Sequence, residues 1–293
     1  QDGATVDIIM RNVDLAMYQA KKTKNCVSFY EHRLLTEYLY NNDVENELKK
    51  ALEKNEFHLV YQPQLGNRNN LKGVEALLRW NNSKLGNIPP DVFIPIAEKS
   101  GYMNIIGEFV IRRSLEDVHE LKQQTGKQFD LSINVSVKQL QNADFYTVMV
   151  ALLERFKFDA STVLLEVTES VLIEDIEQVR ATIIKLKERN LRISLDDFGT
   201  GYSSLTILKN LPIDELKIDK SFVFDMLIDS KTFSMVEGII AISQKLRIIT
   251  VAEGIETEEV KNALKNLGCD IYQGYYFSKP LNKEGLKKYL QNY

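Results

Sequence analysis

The sequence is poor in the residues that build disulfide frameworks and sulfur- or nitrogen-ligated metal sites. Among its 293 residues are only two cysteines, three histidines and one tryptophan. Cys26 and Cys269 are far apart in the chain and lack the spacing of zinc ligands, so neither a disulfide framework nor a zinc site is predicted. We interpret them as free thiols of a protein in the reducing cytoplasm.

Long apolar runs and runs of basic residues are also missing. No stretch approaches the roughly 18 apolar residues of a membrane span, and no signal peptide is visible, so we expect no membrane contact within this segment. The formal net charge is −4 and no basic run stands out, which argues against duplex DNA or RNA as a partner. The chain begins at Gln1 rather than Met, so we expect a segment of a longer protein, with room upstream for a membrane anchor or a sensor.

Short apolar or alternating runs, separated mostly by helical patterns, fill most of the chain. With 44% hydrophobic residues, the sequence can bury a sizeable core. Eight runs predict strands, at residues 57–61, 74–78, 131–135, 163–167, 192–195, 215–218, 248–252 and 270–272. Helices are predicted at residues 105–124, 145–156, 176–189, 232–245, 257–267 and 283–290. This alternation indicates an α/β fold, either a barrel or an open doubly wound sheet.

The beginning of the chain has a different pattern. Residues 7–24 repeat apolar side chains at helical spacing, residues 26–30 favour a short strand, and a polar helical stretch follows to about residue 55. Asn41, Asn42 and Asp43 mark a break within that stretch. This part is too small to form a core alone.

Polar side chains recur in the predicted strands or just after them. Asp196 and Asp197 directly follow an alternating run, and two neighbouring carboxylates that resist desolvation favour a divalent cation between them. Taken alone, the pair also fits a solvated turn that caps a helix. The remaining polar groups at strand ends are Gln62, Glu75, Asn134, Glu166, Glu169, Lys217, Glu253 and Gln273. In a barrel these ends converge on one face, which predicts an oxygen-ligand site suited to Mg²⁺ or Mn²⁺.

A set of ordered motifs resembles the EAL-domain family of cyclic di-GMP phosphodiesterases. The name-giving triplet is Glu75-Ala76-Leu77. The accompanying strings, in order, are YQPQ, INVS, EVTES, DDFGTGYSSL, LKIDK, AEGIE and QGYYFSKP. The resemblance covers residues 43–293 and implies a TIM-like (β/α)8 barrel with one antiparallel strand.

The first 42 residues resemble something else. The string RNVDLAMYQAKKTKN, at residues 11–25, is similar to the last helix of GGDEF domains, the diguanylate cyclase family. We therefore expect residues 1–42 to be a C-terminal remnant of a GGDEF-like domain with a linker. The nucleotide site of that family is not in this sequence, so cyclic di-GMP synthesis is not expected.

The resemblance implies hydrolysis of cyclic di-GMP to linear pGpG at a site with two metal ions. One ion would be held by Glu75, Asn134, Glu166 and Asp196. The second ion or the attacking water would be served by Asp196, Asp197 and Glu253. Lys217 would orient the water or stabilise developing charge. Mg²⁺ or Mn²⁺ would support the reaction, whereas Ca²⁺, which is larger and coordinates less strictly, is expected to inhibit it.

The resemblance also assigns residues to the substrate. Arg79 is the expected phosphate partner, because its guanidinium matches phosphate oxygens. The implied substrate-binding set is Gln62, Leu78, Arg79, Asn134, Asp219, Gln273 and Pro280. Glu169 is expected to stabilise the loop containing Gly199 and Gly201, and a homodimer is expected because dimers are common in the family.

Two other functions remain as alternatives. Some members of the family bind cyclic di-GMP without cleaving it and usually lack one or more metal ligands, whereas no such gap is visible here. A barrel enzyme of different chemistry is the second alternative, because architecture alone does not fix the reaction.

Overall fold

The structure, a computed structural model, describes residues 5–23, 26–168, 176–199 and 204–292. Its contacts divide the chain into two units. The first comprises residues 1–57 and 80–102, and the second comprises residues 58–79 and 103–293. The predicted domain boundary at residue 43 stays a prediction.

The first unit is mainly helical. Its elements are α1 (Val6–Thr23), α2 (His32–Ala51), the end of β2 (Leu71–Asn82), β3 (Gly86–Ile88) and α3 (Pro90–Ser100). Phe57, Trp80 and Phe93 form an aromatic cluster with ring centroids 5.4–5.7 Å apart. The buried Glu56 carboxylate accepts the Trp80 indole N–H at 3.1 Å, which satisfies the polar atom of that ring.

The helix predicted at residues 7–24 corresponds to α1. The break predicted at residues 41–43 is wrong, because α2 runs through them without interruption. The strand predicted at residues 26–30 is also wrong. These residues form no strand pairing with any described residue, and two of their apolar side chains, Val27 and Phe29, are 83% and 80% exposed. A strand needs a neighbour for its backbone hydrogen bonds, and sequence periodicity cannot show whether such a neighbour exists.

The second unit is built on a closed barrel of eight strands. Besides β2, these are β1 (Phe57–Gly66), β4 (Asp130–Asn134), β5 (Val163–Thr168), β6 (Arg192–Phe198), β7 (Glu215–Ile218), β8 (Ile249–Ala252) and β9 (Ile271–Tyr272). Their order is β1-β9-β8-β7-β6-β5-β4-β2, and pairing of β1 with β2 closes the ring. Strand β1 is antiparallel to β9, while every pairing from β2 through β4 to β9 is parallel. The predicted (β/α)8 barrel with an antiparallel strand is confirmed.

Helices of the second unit follow most of the strands. They are α4 (Met103–Thr125), α5 (Val137–Gln141), α6 (Phe145–Arg155), α7 (Ile176–Glu188), α8 (Ser204–Asn210), α9 (Lys220–Asp225), α10 (Ser230–Leu246), α11 (Glu258–Leu267) and α12 (Lys283–Gln291), with a 3₁₀ turn at Ala160–Thr162. Short polar side chains begin several of them. The Asp229 carboxylate accepts backbone N–H groups at the start of α10, and Asn282 does the same for α12.

The parallel strands determine where polar side chains can meet. Strand β5 is buried along almost its whole length, as expected for a barrel strand covered on both faces. Because the parallel strands β2 and β4–β9 run the same way, their carboxyl ends lie on one face of the barrel.

Within the described ranges, no helix combines the length and apolarity that crossing a membrane requires.

Candidate active site

A buried lysine at the end of β7 lies at the centre of the carboxyl face. Lys217 is 1% exposed. Its Nζ lies 2.8 Å from Glu253 Oε1 and 2.9 Å from Glu166 Oε2. The same atom lies 3.3 Å from Asp196 Oδ1 and 3.6 Å from Glu75 Oε2. Carboxylates from β2, β5, β6 and the residue after β8 therefore meet around one ammonium group.

Two consecutive carboxylates, Asp196 and Asp197, both come close to Glu253 because β6 contains a bulge. Leu195 pairs with Leu216 and Phe198 pairs with Ile218, so two residues of β6 face the single residue Lys217. The second of them, Asp197, has a φ of 54°, in the left-handed region. Regular alternation would send Asp196 and Asp197 to opposite faces, whereas a bulge redirects a side chain.

The bulge produces a cluster of three acids. One carboxylate oxygen each from Asp196, Asp197 and Glu253 lies within 4.8 Å of the other two. Together with Glu75, Glu166 and Lys217, these side chains are called the Lys217 cluster below. It holds five carboxylates and one ammonium group, a formal excess of four negative charges if all are ionised.

Burial and the excess negative charge together raise the pKa values of three of the acids. Burial and the nearby Asp196 and Glu75 raise the pKa of Glu253 to about 8, although Lys217 opposes the shift. Burial and the charge of Asp196 raise the pKa of Asp197 to about 6. The pKa of Glu166 is raised well above its ordinary value by burial and by Glu75. These acids lack sufficient positive charge to hold them all ionised.

Glu75 differs from the other acids because amides surround it. Asn134 Nδ2 donates to Glu75 Oε1 at 2.8 Å, and Gln273 Nε2 donates to Glu75 Oε2 at 2.6 Å. Burial raises the pKa of Glu75, but Lys217 and the two amide donors outweigh burial and lower the pKa. Lys217 itself keeps its proton: burial lowers its pKa, and the surrounding carboxylates raise it well above its ordinary value.

The donor set of the Lys217 cluster fits a hard divalent cation. Every candidate ligand atom is an oxygen, the type that Mg²⁺ and Mn²⁺ prefer. Glu166 Oε1 is buried and accepts no hydrogen bond from any residue that the structure describes. A buried carboxylate oxygen with no donor is costly, and a cation would remove that cost.

The structure brings the predicted metal ligands together, but the predicted substrate residues are more spread. Gln62 Oε1 accepts from Gln273 Nε2 at 3.3 Å, so both amides adjoin Glu75. Arg79 lies on the same face of β2 as Glu75, because residues four apart in a strand share a face. Leu78 falls on the opposite face, so its side chain is not brought to the Lys217 cluster.

Three more predicted residues lie at or beyond the edge of the cluster. Asp219 accepts the backbone N–H of Ser221 at 3.0 Å and caps α9, and its charge contributes to the raised pKa of Asp197. Pro280 precedes Leu281, which pairs with Tyr61 of β1. Glu169 lies outside the described residues, as does most of the loop it was predicted to stabilise.

Sequence reasoning missed two buried polar residues inside the barrel. Gln64 is 3% exposed and donates to Gln273 Oε1 at 2.9 Å. Glu215 is 3% exposed and accepts from Ser194 Oγ at 3.0 Å, and burial raises its pKa to about 7. The available signal was strand parity: Gln64 shares a face with Gln62, and Glu215 shares a face with Lys217.

The chain is similar in sequence to a known protein family and to two characterised proteins. The profile of the EAL domain matches residues 45–280. The chain is 34% identical, over its full length, to the cyclic di-GMP phosphodiesterase NbdA of Pseudomonas aeruginosa, covering 38% of that protein. It is 36% identical over 97% of its length to the bifunctional diguanylate cyclase/cyclic di-GMP phosphodiesterase MucR of the same organism, covering 42% of it. The chain thus spans less than half the length of these curated relatives.

A solved structure agrees with these sequence relatives. The PaMucR phosphodiesterase in complex with c-di-GMP has a TM-score of 0.79 and 36% sequence identity to this chain. The similarity covers 83% of this chain and 99% of the solved one.

Proposed function

The chain belongs to the EAL domain family, and from this premise we propose that it is a metal-dependent phosphodiesterase that hydrolyses cyclic di-GMP to linear pGpG. The observation that carries the proposal is the Lys217 cluster, where carboxylates from four strands converge on the carboxyl face of the barrel. Names of relatives alone would not distinguish an enzyme from a binding module, whereas a complete set of candidate ligands favours catalysis.

We propose that the cluster holds two divalent cations. In the proposed arrangement one is held by Glu75, Asn134, Glu166 and Asp196, and the other by Asp196, Asp197 and Glu253. When bound, such ions neutralise the anionic phosphodiester and make a water molecule more acidic. Mg²⁺ or Mn²⁺ would support turnover, and Ca²⁺ would inhibit it because its larger, looser coordination displaces the reacting groups.

The residues of the chain have separate tasks in this proposal. Lys217, whose high pKa keeps it charged, stabilises negative charge that develops on the phosphate and orients the attacking water. Glu253 serves the second cation and that water, 2.8 Å from the lysine. Asn134 positions Glu75 through its amide and supplies an oxygen ligand of its own.

Substrate recognition is assigned to residues around the rim. Arg79 is the proposed phosphate partner, since its half-buried guanidinium lies on the Glu75 face of β2. The other proposed contacts are Gln62, Leu78, Asn134, Asp219, Gln273 and Pro280. Leu78 would contribute its backbone, because its side chain falls on the opposite face of β2. Glu169 is proposed to stabilise the loop that contains Gly199 and Gly201.

Three further features of the protein are proposals. Residues 1–42 are proposed to be the end of a GGDEF-like domain with a linker, and residues 43–293 the phosphodiesterase domain. The protein is proposed to form a homodimer and to work in the cytoplasm.

The proposed function is tested by incubating the protein with cyclic di-GMP in Mg²⁺, Mn²⁺, Ca²⁺ or EDTA in parallel. The products of each reaction are separated by chromatography. We expect pGpG with Mg²⁺ and Mn²⁺, and none with Ca²⁺ or EDTA. The matched variant is Glu75→Ala, which should abolish turnover, and an exposed control is Glu108→Ala on α4, which should not. If cyclic di-GMP binds in calorimetry but no product forms with any of the metals, the protein is a receptor for cyclic di-GMP and not an enzyme.

A further inference from the structure

Gln64, the last residue of the YQPQ string, received no role from the sequence but is buried next to the amide that contacts Glu75. Gln64 is on β1, two residues from Gln62 and on the same face of the strand. Its side chain is 3% exposed, and its Nε2 donates to Gln273 Oε1 at 2.9 Å. Gln273 Nε2 in turn donates to Glu75 Oε2 at 2.6 Å. Three side chains from β1, β2 and the end of β9 thus form one line of hydrogen bonds.

The direction of this line follows from donor and acceptor chemistry. An ionised carboxylate only accepts hydrogen bonds, so Gln273 must present its NH₂ group to Glu75. The carbonyl oxygen of Gln273 must then face Gln64, which has to present its own NH₂ group. Each amide therefore has one permitted orientation while Glu75 is ionised.

The neighbouring strand leaves room for the Gln64 amide. A Cβ atom at Gly73 of β2 would lie 2.9 Å from Gln64 Oε1, closer than side-chain atoms pack. The same Cβ would lie 3.2 Å from the Asp130 carbonyl oxygen. The absence of a side chain at Gly73 therefore lets a long polar side chain occupy a position next to the strand backbone.

We propose that Gln64 is a positioning residue that fixes the Gln273 amide and thereby holds the metal-binding carboxylate of Glu75 in place. This inference rests on the proposed function, because it concerns the same metal site. Without the Gln64 donor, the buried carbonyl oxygen of Gln273 loses its hydrogen bond, and the amide is no longer held in the position from which it donates to Glu75. The Glu75 carboxylate would then lose a hydrogen bond that fixes its orientation.

Mn²⁺ affinity of the substrate-free protein is the direct readout, measured by isothermal titration calorimetry. Gln64→Met removes the donor at nearly constant size, and we expect its Kd for Mn²⁺ to rise about 10-fold, as for other partners of metal ligands. Gln123→Met, at an exposed position of α4, is the control and should bind Mn²⁺ like the wild type.

A double-mutant cycle with Gln273→Met separates positioning from general damage to the core. If Gln64 acts through Gln273, adding Gln64→Met to Gln273→Met should not weaken Mn²⁺ binding further. Additive losses, or an unchanged Kd in Gln64→Met, would overturn the inference. If Gln64→Met does not fold, Gln64→Leu takes its place, because an apolar side chain also cannot donate and should weaken Mn²⁺ binding.

The two proposals fail in different ways. A wild-type protein that binds no Mn²⁺ and releases no pGpG contradicts the proposed function. A wild-type protein that does both, with Gln64 variants of unchanged Mn²⁺ affinity, contradicts only the role of Gln64.

Discussion

Replacing Lys217 by methionine tests the electrostatics of the site most directly. The substitution keeps the length and most of the volume of the side chain but removes the ammonium group, which has carboxylate oxygens from four residues within 3.6 Å. Removing one partner from a buried ionic network costs about 3–5 kcal/mol, because the remaining charges stay buried without compensation.

The expected size of the effect follows from this cost. For domains of 150–250 residues, 1 kcal/mol shifts Tm by about 2–4 °C, so Lys217→Met should unfold about 10 °C below the wild type in EDTA. Adding Mn²⁺ should raise Tm more in the variant than in the wild type, because a cation replaces the missing positive charge. A cation at about 100 times its Kd contributes about 2.7 kcal/mol.

Differential scanning calorimetry in EDTA and in Mn²⁺ measures both effects. Lys187→Met is the matched control, since Lys187 pairs with Asp214 where both side chains are more than a quarter exposed, and such pairs contribute about 0–1 kcal/mol. Equal Tm values for Lys217→Met and wild type in EDTA would refute the reasoning, and so would an equal Mn²⁺-induced rise in both proteins.

Three further predictions concern the acids. Glu253→Gln should bind cyclic di-GMP in calorimetry but turn it over at least about 100-fold more slowly by chromatography, because a general-base or ligand oxygen is lost; normal turnover would remove Glu253 from the mechanism. In EDTA, thermal stability should fall between about pH 4.5 and pH 8, because Asp197, Glu215 and Glu253 have pKa values of about 6, 7 and 8. Over that range the folded state binds more protons than the unfolded state, so raising the pH favours unfolding. In Glu215→Gln, the loss of stability between about pH 4.5 and pH 8 should be smaller by up to about 3 kcal/mol. A pH profile identical to that of the wild type would contradict the raised pKa of Glu215. Asp197→Gly should keep the Tm of the wild type while lowering the Mn²⁺ stoichiometry. Asp197→Val should also lose about 1–3 kcal/mol, because a β-branched residue is strained at a φ of 54°; equal Tm values for the two variants would speak against strain there.

The alternation of strands and helices and the gathering of acids at strand ends could be predicted from the residue pattern, whereas the choice of a barrel over an open sheet rested on the resemblance of the ordered motifs. Glu166 and Lys217 each lie near the carboxyl end of an apolar run, and such ends meet on one face when the strands are parallel. No knowledge of packing was needed for this step. The wrong strand at residues 26–30 shows the limit of the same method, since local periodicity says nothing about a pairing partner.

The remaining details depend on pairing between strands that are distant in sequence. The contact of Gln64 with Gln273 requires that β1 run antiparallel to β9, and nothing local to either segment specifies that pairing. The bulge at Asp196 and Asp197 is likewise a shift in the pairing register between β6 and β7, so it cannot be read from the β6 sequence alone. The large pKa shift of Glu253 arises from burial among acids of other strands.

Because β6 carries one extra residue opposite β7, a single-codon deletion can remove one acid from the Lys217 cluster. Loss of the single codon for Asp197 would let β6 and β7 align one-to-one, which is the ordinary arrangement of a parallel pair. The barrel could then remain intact while one carboxylate disappeared from the pocket. Deletion of this one residue would therefore separate the loss of an acid from the loss of the fold.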